Sequence, residues 1–247
     1  MRRALAVVLT LLAIVLPREV DSGPPFVTDD PEPVAPQHWE LYTGYALEVD
    51  REGRTGALPF LEVNWGPRRN VQLAVFAPYA FSLQQGARNR GLGDLEFGVK
   101  LRFIPEDRLR PQLAFYPIAA EGTGDVARHL GEGGKAIFLP LWAQKQVGAV
   151  TVYGGAGIWN RSGVSPARWS QTGIVVEVAL HTKTMVGAET YRVGARGADE
   201  PAYTAIAGGA AYDLDEHHRI MFSLGRASRG APHSTAYVAL ETLLGPR

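Results

Sequence analysis

Serine and histidine occur in two pairs whose residue types could support nucleophilic catalysis. The candidates are Ser170 with His181 and Ser223 with His233, because a histidine can take the proton of a serine hydroxyl. Each pair lies near opposite ends of one extended stretch, and about ten residues of strand span about 33 Å. Only a pair formed between neighbouring strands could react. A lipid-modifying enzyme is therefore the third and least favoured function.

Metal-binding side chains are also poorly placed. His217 and His218 are adjacent in a short polar stretch, so their side chains diverge and need further donors to hold a metal ion. Asp29, Asp30 and Glu32 could bind a cation, but Pro31 and Pro33 interrupt any calcium-binding loop. The chain has no cysteine, which excludes disulfides, thiolate sites and a lipidated cysteine. We expect no catalytic residue, no metal ion and no cofactor.

Charge and composition narrow the class of protein further. The 25 basic residues equal the 25 acidic residues in number, so no basic field is present to attract nucleic-acid phosphates, and we expect no nucleic-acid partner. Glycine (28) and proline (17) recur along the chain, and 46% of the residues are hydrophobic. This composition favours many short strands with frequent turns over long helices.

The elements that must position any functional side chain are therefore strands. In the stretch DLEFGVKLRF, an apolar residue occupies every second position: Leu95, Phe97, Val99, Leu101 and Phe103. A helix would scatter these side chains around its circumference, whereas a strand places them on one face. The stretches 39–49 and 71–83 show the same alternation.

Weaker alternation brings the number of predicted strands to twelve. The remaining nine cover about 57–66, 111–120, 136–146, 151–159, 169–181, 184–192, 203–214, 220–227 and 235–244. No stretch after the first twenty residues reaches the roughly 18 apolar residues of a transmembrane helix, so a membrane-spanning form must be a barrel. The predicted fold is all-β, a transmembrane antiparallel up-and-down β-barrel of about 12 strands.

The connections between predicted strands support this topology. Longer polar or glycine-rich links follow odd-numbered strands, at 85–93, 121–135, 160–168 and 193–202. Shorter links follow even-numbered strands, at 67–70, 106–110, 181–183 and 215–219, while the link near 147–150 is poorly marked. Long external loops alternating with short periplasmic turns are typical of outer-membrane barrels.

The N-terminus carries an export signal and a proline-rich segment. Arg2 and Arg3 precede an apolar run over 4–16, which predicts a signal peptide at 1–22 and a mature chain that begins at Gly23. Residues 23–37 contain five prolines and three acids, so we expect an extended strap that cannot join a sheet. The barrel then covers 38–247.

Polar residues on the second face of the strands are the candidate lumen lining. They comprise Glu40, Glu48, Glu62, Asn64, Glu96, Lys100, Arg102, Glu177, Glu189 and Glu241. Charges at strand centres require a wet or mutually paired lumen. Carboxylates on other strands, such as Glu62 and Glu189, are expected to pair with Lys100 and Arg102 across the barrel. Such pairs could form a closed structural filling or line a solute path, and the two alternatives are equally supported.

Four tryptophans are predicted at the membrane interfaces. Trp39 begins the first strand and Trp65 ends the second, which puts both at the periplasmic rim. Trp159 and Trp169 flank a predicted external loop and are expected at the other rim. Two aromatic girdles are typical of a barrel anchored at both interfaces. Trp142 fits neither girdle.

The chain also resembles a known family. The stretches GPPFVTDDPEPV with HWELY (within 23–42), GLGDLEFGVKLRF (91–103) and DEHHRIMFSLGR (215–226) are similar to outer-membrane barrels named after the meta-pathway of phenol degradation. This resemblance implies a transporter-like barrel of the bacterial outer membrane without catalytic residues. Its partners would be outer-membrane lipids, the barrel assembly machinery and a small-molecule solute.

Two functions of different classes follow from these features. The first is passive transport, a channel for small solutes of hydrophobic or aromatic character, with the external loops controlling access. The second is a closed structural or interaction barrel that conducts nothing.

Overall fold

The alternating stretches form a ring of antiparallel strands in a computed structural model. The structure describes residues 24–84, 86–163, 166–198 and 200–246, so the predicted signal peptide lies outside the described residues. The strands are β1 (Trp39–Val49), β2 (Gly53–Arg68), β3 (Val71–Gln84), β4 (Ala87–Leu92), β5 (Leu95–Ile104), β6 (Gln112–Phe115), β7 (Ile118–Glu121), β8 (Lys135–Val147), β9 (Val150–Ser162), β10 (Ala167–His181), β11 (Thr184–Val193), β12 (Tyr203–Asp213), β13 (His218–Arg229) and β14 (Ser234–Leu244).

Pairing between the first and last strands closes the ring. β1 pairs with β14 along its whole length, from Trp39 opposite Leu244 to Val49 opposite Ser234. β4 and β5 both pair with β3, and β6 and β7 both pair with β5 and β8. The fourteen segments therefore make twelve barrel strands, which confirms the predicted all-β up-and-down barrel.

Two barrel strands are interrupted near their middle. Residues 93–94 separate β4 from β5, and residues 116–117 separate β6 from β7. Pro117 has no N–H to donate, so the ladder breaks there, although its carbonyl still accepts from Val99 N at 3.0 Å. Tyr116 N in turn donates to Pro140 O at 3.3 Å. Backbone hydrogen bonds therefore still join residues 116–117 to both neighbouring strands.

The predicted alternation of loop lengths is only partly correct. Two long links remain, at 122–134 and 194–202, and the first contains a short 3₁₀ turn at Val126–Arg128. The other two predicted loops are mostly strand, because β3 and β4 form a hairpin arm and β9 and β10 extend to 162 and 167. The sequence ARNRGL of β4 lacks apolar alternation, and so period-two analysis did not detect it.

The two faces of the barrel wall differ sharply in character. Outward side chains such as Phe97, Val99 and Leu101 are apolar and 38–46% exposed, as expected for a surface that meets lipid. Inward side chains are buried and include both aromatic and charged groups. Trp142, which the sequence did not place, is 1% exposed and packs inside with Tyr116 and Phe138. Among the described residues, no helix is long and apolar enough to cross a bilayer.

Candidate functional site: the lumen and its N-terminal segment

The proline-rich residues 24–37, here called the inner segment, run through the lumen of the barrel. Their prolines prevent strand pairing, so the segment must satisfy its polar groups through the side chains of the wall. Thr28 is 1% exposed and Asp30 is fully buried. The predicted strap is therefore enclosed by the barrel.

One end of the inner segment is anchored to β11 and β13. The carboxylate of Glu189 accepts from the backbone amides of Val27 (3.2 Å) and Thr28 (2.6 Å). The Ser223 hydroxyl donates to the carbonyl of Pro25 at 2.6 Å. Hydrogen bonds to a charged acceptor are among the stronger ones in proteins, so Glu189 is the main anchor here.

Two basic side chains of β5 hold the middle of the inner segment. Lys100 Nζ donates to Asp29 Oδ1 at 3.1 Å and lies 3.7 Å from Asp30 Oδ2. Arg102 Nη1 donates to Glu32 Oε1 at 2.5 Å. Lys100 is 3% exposed, and a buried charge requires such partners.

These contacts correct the predicted ion pairs of the lumen. We expected Lys100 and Arg102 to pair with carboxylates on other strands, such as Glu62. The inner segment supplies their carboxylates instead, and the remaining hydrogen bonds of Arg102 go to the side chains of Asn70 (2.9 Å) and Gln112 (2.8 Å). The sequence signal for this pairing is the acids at 29–32, which the sequence analysis interprets only as possible cation ligands.

Glycines of the wall make room for the inner segment. A Cβ built at Gly173 would overlap the Thr28 hydroxyl and lie 3.1 Å from Thr28 Cβ. A Cβ at Gly187 would lie 2.8 Å from the ring of Phe26. Because real Cβ atoms do not approach so closely, the absence of side chains at these positions allows the segment to dock.

A cavity of about 170 Å³ remains between the inner segment and the wall. Of the ten polar residues predicted to line the lumen, it contains Glu40, Glu62, Asn64 and Lys100. The cavity is lined by Pro24, Phe26, Val27, Asp29, Asp30, Glu32, Pro33, Glu40, Tyr42, Glu62, Asn64, Gln72, Lys100 and Tyr116.

The other predicted lumen residues lie at several depths. Glu177 accepts from the Tyr153 hydroxyl at 3.0 Å, and Glu241 lies 3.7 Å from Arg219. Glu96 is half-buried on β5. It lies on the same face as Lys100 and Arg102, four and six residues before them. The structure therefore does not gather the predicted set into one cluster.

Glu48 lies at the end of β1 and contacts His233 Nδ1 at 2.8 Å. This contact also bears on the Ser223 and His233 pair that was considered for catalysis. The Ser223 hydroxyl donates to Pro25 O, so each member of the pair contacts a different residue. The described contacts give no support to a serine nucleophile activated by histidine.

The structure brings Trp39 and Trp65 together at one rim, and the interfacial role of this pair stays a prediction. Trp39 is 41% exposed and stacks on Trp65 with ring centroids 5.2 Å apart. Trp159 and Trp169 do not face lipid: Trp169 is 8% exposed, and the two rings stack at 5.7 Å inside the barrel. The error arose because position near a strand end does not fix the face, whereas the alternation with buried Arg161 does.

The long loop 122–134 folds across the rim that carries Trp169. Glu132 contacts Arg161 on β9 and lies 3.7 Å from Arg196 in the link 194–202. The guanidinium of Arg196 lies 4.9 Å from the Trp169 ring centre. Asp94 accepts from the amides of Gly124 and Glu132 at 2.9 and 2.7 Å. Charged contacts thus join two loops above the lumen.

The fold is similar to that of several solved outer-membrane channels and porins. No family model matches the sequence, and no curated protein matches it. An outer membrane channel from Pseudomonas putida F1 is 15% identical, with a TM-score of 0.66 over 92% of this chain and 100% of that one. The NanC porin is 7% identical, with a TM-score of 0.62 over 82% and 98% of the two chains. The KdgM porin is 9% identical, with a TM-score of 0.55 over 81% and 98%. At these identities the likeness is one of fold.

Proposed function

We propose that this chain is a passive channel of the bacterial outer membrane, narrowed by its inner segment. The closed barrel, its apolar outer surface and its fold likeness to channels and porins support this function. In that setting its partners are outer-membrane lipids and the barrel assembly machinery, and the protein is no enzyme.

The observation that carries the proposal is the polar contact between the inner segment and the wall. The segment docks through Lys100, Arg102 and Glu189, whose charged groups remain compatible with water. An apolar plug would be released only at the cost of exposing hydrophobic surface. A segment held by ion pairs and hydrogen bonds exchanges these contacts for water, and so it can shift while the barrel stays intact.

The chemistry of the solute follows from the cavity. The resemblance to the phenol-pathway family suggests a small hydrophobic or aromatic solute, and that family assignment stays a prediction. The charges of the cavity favour a hydrophilic solute instead, because apolar molecules gain nothing from a lining of carboxylates.

A closed structural barrel is the second candidate, and one observation favours it. Several of the largest fully buried side chains point inward, among them Trp142, Tyr153 and Phe60. Together with the inner segment they fill much of the lumen. Such a barrel would interact through its loops and conduct nothing.

Single-channel recording in planar bilayers separates the two candidates. The native protein is compared with a variant that lacks residues 24–36, after both are shown to fold as heat-modifiable barrels. We expect steady conductance from the native protein and a larger conductance from the deletion variant. No conductance from either folded protein would refute the channel and support the closed barrel.

A cysteine lock provides a matched control for the deletion. The chain has no cysteine, and the Cβ of Thr28 lies 3.1 Å from an ideal Cβ at Gly173, near the spacing of about 3.5–4.5 Å in disulfides. Thr28→Cys with Gly173→Cys should fix the segment against β10. A Cβ at Gly173 crowds the segment until the disulfide forms, so we expect lower conductance of this variant under oxidising than under reducing conditions. Equal conductance in both states would show that the segment does not control the path.

A further inference from the structure

We propose that the lumen cavity binds a small organic cation that carries a primary ammonium group. The proposal rests on the proposed function, since a solute reaches the cavity only through an open lumen. It deepens that function by naming the class of solute.

The lining of the cavity is strongly acidic. Among the described residues that line it, the acids outnumber the one basic side chain: Asp29, Asp30, Glu32, Glu40 and Glu62 against Lys100. Lys100 is engaged with Asp29 and Asp30, while Arg102 contacts Glu32 from outside the cavity. A cavity of this charge attracts cations and repels anions.

Glu40 and Glu62 lie on the wall side of the cavity, on β1 and β2. The Tyr42 hydroxyl donates to Glu40 at 3.0 Å, and the Asn64 amide donates to Glu62 at 3.0 Å. The amide that bonds Glu62 is uncharged, so this hydrogen bond does not neutralise the Glu62 carboxylate. A bound ammonium group would neutralise it.

Asn64 provides an independent sign of a donor-bearing ligand. Its side chain is buried, with 3% of the residue exposed, and it lines the cavity. Its Nδ2 is fixed on Glu62, and within the described part of the chain its Oδ1 accepts no hydrogen bond. A buried acceptor without a donor destabilises the protein unless a ligand supplies one, and an ammonium group has three N–H donors.

The spacing of the acids favours an organic cation over a metal ion. No group of three or more metal-binding side chains converges among the described residues. The cavity also has aromatic lining from Phe26, Tyr42 and Tyr116, which suits an apolar stem. Tyr116 already lies 5.0 Å from Lys100 Nζ, so its ring face accepts a cation in this fold.

Isothermal titration calorimetry of the full detergent-purified protein tests the proposal with three probes of similar size. These are n-butylammonium, n-butanol and butyrate, which differ in charge. We expect saturable binding of n-butylammonium alone. Binding of all three with similar affinity, or no saturable binding of n-butylammonium, would overturn the proposal. Full competition by an equal concentration of K⁺ would show an inorganic cation site and would also overturn it.

Point variants identify the site. Glu62→Gln is isosteric and should weaken n-butylammonium binding about ten-fold or more, as expected for one lost charged hydrogen bond. Asn64→Leu should also weaken it. Glu241→Gln is the control, because Glu241 is a buried inward carboxylate outside the cavity. Heat-modifiable electrophoresis establishes that each variant is folded, and equal affinity in folded Glu62→Gln and native protein would refute the site.

Bilayer recording separates this inference from the proposed function. Cation selectivity of the native protein in a KCl gradient, with lower selectivity in Glu62→Gln, would support both the channel and the cation site. Binding of n-butylammonium without conductance would refute the channel and leave the site established. Conductance with anion selectivity and without n-butylammonium binding would refute the site and leave the channel.

Discussion

Gly173 is the position where the barrel wall leaves room for the inner segment, and Gly173→Ala should displace that segment. The new Cβ would overlap the Thr28 hydroxyl and approach Thr28 Cβ to 3.1 Å, whereas apolar atoms pack at about 3.5–4.0 Å. β10 is paired on both sides by β9 and β11, so the wall is held and the segment must move.

The magnitude follows from the contacts that the movement breaks. Thr28 N lies 2.6 Å from Glu189 Oε1 and Val27 N lies 3.2 Å from Oε2. A shift of about 1 Å takes these bonds to the limit of hydrogen bonding, and a bond to a charged group contributes about 1.5–3 kcal/mol. We expect docking of the segment to weaken by about 2 kcal/mol, a factor of about 30 in its equilibrium constant.

Limited proteolysis and single-channel recording measure this effect. In Gly173→Ala, cleavage within the inner segment should be faster and conductance larger than in the native protein. Adding Thr28→Ala removes the hydroxyl and should restore most of the docking. Gly197→Ala is the control, because a Cβ there meets nothing within 4 Å. Unchanged proteolysis in Gly173→Ala, or no recovery in the double variant, would refute the reasoning.

Three further predictions concern the wall, a turn and the loop contacts. Val99→Arg should destabilise the barrel in lipid by about 2–4 kcal/mol, while Val99→Leu should be neutral; equal unfolding free energies would show that this face does not meet lipid. The amides of Arg110 and Leu109 lower the pKa of Asp107 to about 2, so its contribution to stability is present above pH 4 and is lost as the pH falls towards 2. A carbon-13 titration of this carboxyl with a midpoint near 4 would contradict that pKa. Glu132→Gln removes the contacts to two arginines and should speed hydrogen exchange in the loop 122–134, and unchanged exchange would argue against the contacts.

Local pattern was sufficient to predict the strands because alternation has a single physical cause. Each predicted strand corresponds to a barrel strand, since an apolar outer surface and a polar inner face repeat with period two. The hairpin arm of β4 escaped prediction for the same reason. Its residues continue the ladder with β3 but carry no apolar alternation, so only hydrogen bonding defines it.

The candidate site was only partly predictable. Alternation predicts that Lys100 and Arg102 lie on the inner face of the barrel. Both side chains do point inward, where they contact the inner segment. Their partners could not be assigned, because Asp29 and Glu32 are about seventy residues away in a segment that belongs to no sheet. The predicted interfacial position of Trp159 and Trp169 is wrong, because closeness to a rim does not determine which face of the strand a side chain occupies.

The sequence by itself determined the class of fold, the strand faces and the inability of the proline-rich residues to join a sheet, because each of these depends on neighbours along the chain. Tertiary structure alone decided that those residues lie within the lumen, held by Lys100, Arg102 and Glu189. It also decided which polar groups enclose the cavity. The physical reason is that closure of the ring sets distances between strands far apart in sequence, and no local pattern encodes the space that closure leaves inside.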